Sequence, residues 1–332
     1  LYYTKDRTNL GADGTPFETF GIDQKIAFPT IYFSKKKEAK IYKNLVELNF
    51  EISKNELIKN VSIAFNEFVF LNKKLEHFTY IDSLYTNFSK AAKRKFELGE
   101  SNYLEMITSQ SKYKQYEMQL NQLKQDKTIA LEKFNFLLQS EEEFTISELD
   151  LLKIKVEDID VENHLIQQYY KENEALASNK KVIEMQSLLP DLHFNFFNSK
   201  DKIANTTVNS FQAGIAIPIF FIGKSSTISA SKIEEDIANE LIFDNSLKLN
   251  TKYNTLLEML KKSELELNYY SESGEKLAAE ILKTANSSYK HGEIDFFQYI
   301  QSLETGLQIK IDYLNQVNIY NQIALELNYL NL

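Results

Sequence analysis

Residues 17–40 read FETFGIDQKIAFPTIYFSKKKEAK, and residues 208–232 read VNSFQAGIAIPIFFIGKSSTISASK. Each stretch begins as an alternating strand that ends in a proline, Pro29 or Pro218. It then continues through a short apolar run into a lysine- or serine-rich helix start. The two prolines lie about 190 residues apart, a period too long for a solenoid repeat. The sequence therefore predicts an internally duplicated chain.

Long helices are predicted after each strand. Glycine and proline, the strongest helix breakers, are absent from residues 30–98, 100–189 and 224–273. Apolar residues recur there at steps of three and four, which predicts antiparallel helices packed as in a coiled coil. We expect one helical hairpin to reverse at Gly99 and another at Gly292. By themselves, these hairpins would also fit an ordinary structural coiled coil.

The strands are the feature that indicates a membrane. Apolar residues alternate with small or polar ones in both stretches, and a third alternating run follows Pro190. Strands of about ten residues with one apolar side are typical of a transmembrane β-barrel wall, although a half-buried strand of a soluble sheet shows the same alternation. The predicted lipid-facing positions are Phe20, Ile22, Ile26, Phe28, Phe211, Ile215 and Ile217.

A membrane location would require several copies of the chain. About eight strands are the fewest that enclose a barrel interior, and the sequence predicts only three or four. An open sheet edge is not tolerated in lipid. If the strands lie in a membrane, each copy must therefore contribute a part of one shared wall.

Composition excludes several other classes of function. The net charge of −9 argues against nucleic acid as a partner. The absence of cysteine excludes disulfides and thiolate metal sites. Four histidines have no spacing that would place two on one helix face: His77, His164, His193 and His291. We predict no enzymatic activity, no cofactor and no metal.

In this order, the motifs resemble those of the TolC-like outer membrane efflux proteins. The similar stretches are residues 179–192 (NKKVIEMQSLLPDL), the two strand-to-proline runs and both glycine turns, above all residues 288–303 (SYKHGEIDFFQYIQSL). The resemblance covers roughly residues 17–330. The glutamate after the second glycine and the pair Phe296–Phe297 are more similar to the heavy-metal, CusC-like branch.

The resemblance implies a fold class that is mainly α with a β portion. Long coiled-coil hairpins would form an α-barrel, and the strands would contribute to a trimeric transmembrane β-barrel. The first repeat, residues 1–163, would comprise a strand pair (1–29), a helical hairpin (34–138) and an equatorial segment (140–163). The second repeat, residues 164–332, would comprise a helix (164–189), a strand pair (191–219) and a hairpin (224–330). The family also has a long helix before the first strand pair, so N-terminal sequence is expected to be missing here.

The resemblance further implies a passive exit duct. It would be a homotrimer in the outer membrane of a Gram-negative bacterium, in contact with lipid and extending into the periplasm. Its partners would be a periplasmic membrane-fusion adaptor and an inner-membrane efflux pump. The alternative is a soluble periplasmic coiled-coil adaptor or scaffold, which would have one hairpin flanked symmetrically by strands.

The glycine turns would be the tips that dock the adaptor. Glycine accepts the positive φ that a helix reversal needs, and apolar residues beside it would be exposed at a free tip. Alternatively, these side chains only close the local hairpin core. The predicted docking residues are Phe96, Leu98, Gly99, Glu100, Tyr289, Gly292 and Glu293.

The pore constriction departs from the family pattern. In the family, an acidic pair lies about two turns after the second glycine. The corresponding residues here are Gln298 and Gln301, with Glu105 in the first half. The constriction is therefore expected to be hydrogen-bonded, or to lie on the other hairpin.

Overall fold

The computed structural model describes residues 2–10, 16–139, 150–201, 206–218 and 222–331. Leu1, Ile219 and residues 140–149 of the predicted equatorial segment lie outside the described residues. The strands are β1 (Tyr2–Leu10), β2 (Pro16–Ile26), β3 (Asp191–Asp201) and β4 (Thr207–Ala216). The helices are α1 (Pro29–Glu97), α2 (Tyr103–Leu138), α3 (Leu165–Gln186), α4 (Ile222–Tyr269), α5 (Glu275–Lys290) and α6 (Phe296–Asn328). None of these helices carries an apolar stretch sufficient to cross a bilayer, within the ranges given.

The strands pair in the antiparallel order β1-β2-β3-β4 within the described residues. Ile22 is opposite Phe196, which is opposite Phe211. Because side chains alternate between the two faces of a strand, this register places most apolar residues of β2, β3 and β4 on one face of the sheet, whereas Phe197 and Val208 lie on the other. The predicted apolar side of these strands is therefore a single continuous surface.

Two predicted strand residues lie beyond the strands. The strands end at Ile26 and Ala216, so Phe28 and Ile217 are not strand residues as the alternation suggested. The reason is the proline that follows each of them. Proline has no N–H to donate to a neighbouring strand, so pairing ends before it, and Pro29 is already the first residue of α1.

The chain divides into two compact units, and each draws on both halves of the sequence. One unit comprises Leu1–Glu51 with Asn163–Leu247, and the other comprises Ile52–Glu162 with Lys248–Leu332. Each predicted repeat therefore contributes residues to both units. That the halves 1–163 and 164–332 are duplicates of one another stays a prediction.

In the first unit, α3 is held by hydrogen bonds to its neighbours. Asn179, which is buried, donates from Nδ2 to the carbonyl oxygen of Ser34 at 2.9 Å. Lys181 forms an ion pair with Glu235 of α4, and the Lys224 ammonium donates to the carbonyl oxygen of Ser187. These contacts join α3 to α1 and α4 beside the sheet.

The N-terminus of α3 is capped by a histidine. Nδ1 of His164 accepts a hydrogen bond from the backbone N–H of Ile166 at 3.3 Å, which requires the neutral imidazole. Burial lowers the pKa of His164 below its ordinary value. Burial is also the main cause that lowers the pKa of His77 in the second unit. Both histidines are therefore held in their neutral form.

Acidification is expected to destabilise the protein through these two histidines. An unfolded histidine takes up a proton near pH ~6.5, whereas the folded groups do so only at lower pH. The unfolded state thus binds more protons as pH falls through this window, and the free energy of unfolding decreases. His164→Asn keeps a capping acceptor but cannot take up this proton. Urea denaturation near pH ~7.5 and ~5.5 should therefore show that acidification lowers the free energy of unfolding less in His164→Asn than in wild type. Equal losses in wild type and variant would contradict the role of His164.

The predicted heptad stripe forms the core of the second unit. Ile81, Tyr85 and Leu307 are almost completely buried in one cluster that joins α1, α2, α5 and α6. The rings of Tyr85 and Tyr116 stack at 4.5 Å between centroids. Aromatic packing between long helices therefore accounts for part of the high tyrosine and phenylalanine content.

Buried asparagines of α1 and α6 form a hydrogen-bonded ladder in the same unit. Asn66 donates to Asn318 at 2.6 Å, and Asn321 donates to Asn66 at 2.8 Å. Asn321 also donates to the Leu152 carbonyl at 2.9 Å and accepts from the Ile154 N–H at 2.8 Å. The Asn321 side chain thereby links the segment at Leu152 and Ile154 to α1 and α6.

The second predicted hairpin has an interruption that the sequence pattern did not indicate. A π-helical turn, Tyr270–Gly274, separates α4 from α5. A Cβ on Gly274 would lie 3.0 Å from the Tyr270 ring, so glycine leaves room for that ring, whose centroid is 6.2 Å from that of Tyr313. The hairpin predicted as two helices therefore consists of α4, α5 and α6.

Candidate functional site: the two helix reversals

The first helix reversal is a glycine-terminated cap. The N–H of Gly99 donates to the Phe96 carbonyl at 3.0 Å, and the N–H of Glu100 donates to the Lys95 carbonyl at 2.9 Å. Gly99 has φ +74°, which is the left-handed conformation of the Schellman motif. Asn102 then starts α2 by accepting the N–H of Glu105 at 2.9 Å.

The second reversal repeats this arrangement. The N–H of Gly292 donates to the Tyr289 carbonyl at 3.2 Å, and the N–H of Glu293 donates to the Ser288 carbonyl at 2.8 Å. Gly292 also has φ +74°. Asp295 starts α6 three residues later, as Asn102 starts α2 three residues after Gly99. The two turns thus have the same backbone and the same capping position.

The first tip exposes apolar side chains. The exposed fraction is 64% for Leu98 and 37% for Phe96, although the Phe96 ring also packs against Tyr103 at 5.8 Å between centroids. The carboxylates of Glu100 and Glu293 are exposed at the two tips. These residues are accessible, as a docking surface requires.

Tyr289 is half-buried rather than exposed as expected. Its ring stacks on Tyr299 at 4.4 Å between centroids and also lies against Phe88. The physical reason is that Tyr289 lies on the core-facing stripe of α5, where ring stacking gains more than solvation of a single hydroxyl. For Tyr289, the alternative that the side chain closes the local hairpin core fits the structure better than an exposed docking contact.

The predicted constriction residues lie in the first two turns of α2 and α6. Gln298 forms a capping box with Asp295: its Oε1 accepts the Asp295 N–H at 3.1 Å, and Asp295 accepts the Gln298 N–H at 2.8 Å. Glu105 occupies the equivalent third position of α2 and is half-buried, whereas Gln301 is exposed. The Gln298 carbonyl is therefore already used in closing the helix end.

Three exposed apolar residues at the tips were missed by the docking prediction. Tyr103 and Leu104 begin α2, and Phe297 is the counterpart of Leu104 at the start of α6. Leu104 has 59% of its surface exposed and Phe297 has 45%. Their signal in the sequence is an apolar pair directly after the capping residue, where only one of two adjacent positions can face the core.

The sheet presents a second candidate surface. Phe20 and Ile22 of β2 and Phe211 and Ile215 of β4 lie on the same face and are exposed, whereas Ile26 is half-buried. On the opposite face Thr19 and Ser199 share a hydrogen bond at 2.8 Å, and Lys25 pairs with Asp191 at 2.8 Å. One face is therefore mainly apolar and exposed, and the other is mainly polar, although Phe197 and Val208 lie on it.

No group of three or more potential metal ligands lies together in the part of the chain that the structure describes. No protein-family model matches the sequence, and no curated protein matches it significantly.

The fold is similar to that of several solved outer membrane channels. The CmeC outer membrane channel of Campylobacter jejuni has a TM-score of 0.82 at 13% identity, and the match covers 99% of this chain and 75% of CmeC. The MtrE outer membrane channel of Neisseria gonorrhoeae, in its open state, has a TM-score of 0.83 at 11% identity, covering 99% of this chain and 78% of MtrE. CusC, solved in a study of transmembrane channel formation, has a TM-score of 0.82 at 12% identity, covering 99% of this chain and 81% of CusC.

These similarities are nearly equal, so membership of the CusC-like branch stays a prediction. The mainly α fold with a β portion, expected from the sequence, is confirmed. The chain has the fold of the TolC-like outer membrane channels.

Proposed function

We propose that this chain is an outer-membrane exit-duct subunit of a Gram-negative bacterium, which forms a passive trimeric channel across the outer membrane and periplasm. The main support for this proposal is the exposed apolar face of the sheet, in which Phe211 has 69% and Ile215 has 66% of its surface exposed. A soluble sheet would bury such a face, whereas a barrel wall turns it to lipid. The polar face would then line the pore.

Assembly from several copies is supported by apolar stripes on the first unit. Tyr42, Val46 and Phe50 of α1 follow one another at steps of four and are exposed, as are Phe243 and Leu247 of α4. A sustained apolar stripe on a long helix normally packs against another helix. We assign this role to neighbouring copies, because a four-stranded sheet also needs other copies to remove its two edges.

The soluble adaptor is the less favoured alternative. An adaptor would have one hairpin with strands on both sides. This chain has two helix reversals of the same construction, and its fold matches channels over almost its whole length. Both observations favour the duct.

Fractionation and sizing test the proposal together. We expect the full-length protein to be recovered in the outer membrane fraction, and its detergent extract to have the mass of three copies. Recovery as a soluble periplasmic monomer would overturn the proposed function.

A charge on the lipid face is expected to reduce membrane insertion. Phe211→Arg places a guanidinium in the central apolar row of the sheet, where a cationic residue in a barrel costs about 2–4 kcal/mol. Gln212→Arg is the matched control, because its side chain lies on the opposite face. Quantitative immunoblots of the outer membrane fraction should show a strong loss for Phe211→Arg alone. Equal losses for the two variants would argue against a lipid-facing Phe211.

The two tips are proposed to dock a periplasmic adaptor that links the duct to an inner-membrane pump. The proposed contacts at the first tip are the exposed Leu98 and Leu104, and Phe297 at the second tip. Hairpins of an adaptor would bury these side chains and so remove from water an apolar surface that is otherwise exposed.

Replacing Gly99 by valine is expected to reduce adaptor docking. A Cβ at Gly99 would meet no atom within 4 Å, so the cost is the left-handed backbone alone, about 1–2 kcal/mol. Gly99→Asn is the matched control, because asparagine tolerates this conformation better. Photo-crosslinking from Leu98 to the adaptor should fall in the valine variant and persist in the asparagine variant. Undiminished crosslinking in both would remove the support for docking at this tip.

A further inference from the structure

A cleft of about 920 Å³ lies between α2 and α6 in the second unit, with α1 beneath it. Its floor is apolar and contains Phe78 and Leu307, both buried, together with the half-buried Tyr116. Its walls are amides and carboxylates. The volume lies within the range of ~300–1,000 Å³ that is usual for small-molecule sites.

Negative charges outnumber positive ones in the lining of the cleft. Its lining contains the carboxylates Asp126, Glu304 and Asp312, and one ammonium, Lys74. Glu304 is paired with Lys112 at 2.6 Å. If Lys74 is counted against one of the remaining two carboxylates, one negative charge is left without compensation. Such a charge attracts a cation.

The floor of the cleft favours an organic cation over an inorganic one. Tyr116 presents a half-buried ring that is fixed from behind by stacking on Tyr85 and by contact with Phe78. An aromatic face attracts cations, and it also covers the apolar body of an organic ligand. A hydrated inorganic ion would gain nothing from the apolar floor.

We propose that this cleft binds a singly charged organic cation. Asp126 on α2 and Asp312 on α6 balance its charge from opposite walls, and its apolar body covers the half-buried ring of Tyr116. Asp312 already accepts a hydrogen bond from Gln308 at 2.7 Å, which holds its carboxylate at the wall. That such a ligand is cargo in transit rests on the proposed function, whereas the binding itself does not.

Tetraphenylphosphonium is a suitable probe, because it is a single delocalised charge surrounded by aromatic rings. Equilibrium dialysis against the purified full-length protein, corrected with protein-free micelles, should show saturable binding. Asp126→Asn and Asp312→Asn should each weaken it by about threefold or more, as expected for a partly solvated charge pair. Lys74→Gln should strengthen it, since it removes the opposing charge.

The matched control is Glu132→Gln on α2, which neutralises an exposed carboxylate outside the cleft and should leave binding unchanged. Triphenylphosphine oxide, a neutral compound with similar rings, should bind more weakly than the cation. The proposal is overturned if wild type shows no saturable binding, as would happen if a helix of a second copy filled the cleft. It is also overturned if both aspartate variants bind like wild type, or if the neutral compound binds equally.

These outcomes are separable from those of the proposed function. Absence of saturable binding in wild-type protein that still assembles in the outer membrane counts against the cleft alone. Conversely, saturable binding by a soluble monomer would support the cleft and overturn the exit duct. Measuring the size of the dialysed protein distinguishes the two results.

Discussion

Gly306→Val is expected to lower the thermal midpoint of the protein strongly, by separating α5 from α6. A Cβ at Gly306 would lie 2.7 Å from Cγ of Leu282 and 3.2 Å from the carbonyl oxygen of Ala278. Leu282 could rotate, but the Ala278 backbone belongs to a helix and cannot yield without moving α5. Overpacking of this kind costs about 1–3 kcal/mol or more, and the second tip depends on this helix pair.

Gly223→Val provides the control for Gly306→Val. Gly223 also lies in a helix, α4, but a Cβ there would meet no atom within 4 Å. Its replacement should therefore have little effect on circular dichroism melting curves, whereas Gly306→Val should melt earlier. A Gly306→Val midpoint equal to that of Gly223→Val would show that the helices separate at no measurable cost.

Asn321→Leu is expected to cause the second large loss of stability. Asn321 is 1% exposed, and its side chain makes hydrogen bonds to Asn66, Leu152 and Ile154. Leucine has a similar volume, but it leaves a buried amide, a carbonyl and an N–H without this partner. Each unsatisfied buried group costs about 1–3 kcal/mol, and hydrogen exchange of the Ile154 amide should accelerate.

Asn286→Leu is the matched control for this substitution. Asn286 is an exposed residue of α5, so the same chemical change should alter the urea midpoint little. If Asn321→Leu unfolds at the same urea concentration as Asn286→Leu, the asparagine ladder contributes nothing to stability.

The reversals and strands were predictable because single residues dictate them. Gly99 and Gly292 both adopt the positive φ that the sequence suggested, since few other residues accept it. β2 ends three residues before Pro29 and β4 ends two residues before Pro218, because proline cannot extend a ladder. The alternation of β2 and β4 likewise identified the apolar face, whereas its contact with lipid stays a prediction.

Features that depend on a partner element were not predictable from the local sequence. Asn321 has a residue type that is usually solvated, and its burial follows from its contacts with Asn66 of α1 and with the segment at Leu152. Gly306 is an isolated glycine in a helical pattern, which a single chain tolerates; its role follows from the approach of Leu282. Tyr289 was expected at the surface because its stacking partner, Tyr299, lies beyond the turn on the following helix.

The pairing of β2 with β3 has a consequence for the order in which the chain folds. Thr19 and Ser199 meet across 180 residues of sequence, whereas β1 pairs with β2 and β3 with β4 through short connections. Contacts of such long sequence separation form slowly, because the loop must be closed before they gain any free energy. During synthesis, β2 must wait without its central partner until β3 is made. In that interval its apolar side chains are available to other chains, so we expect β2 to depend on a holding chaperone until β3 arrives.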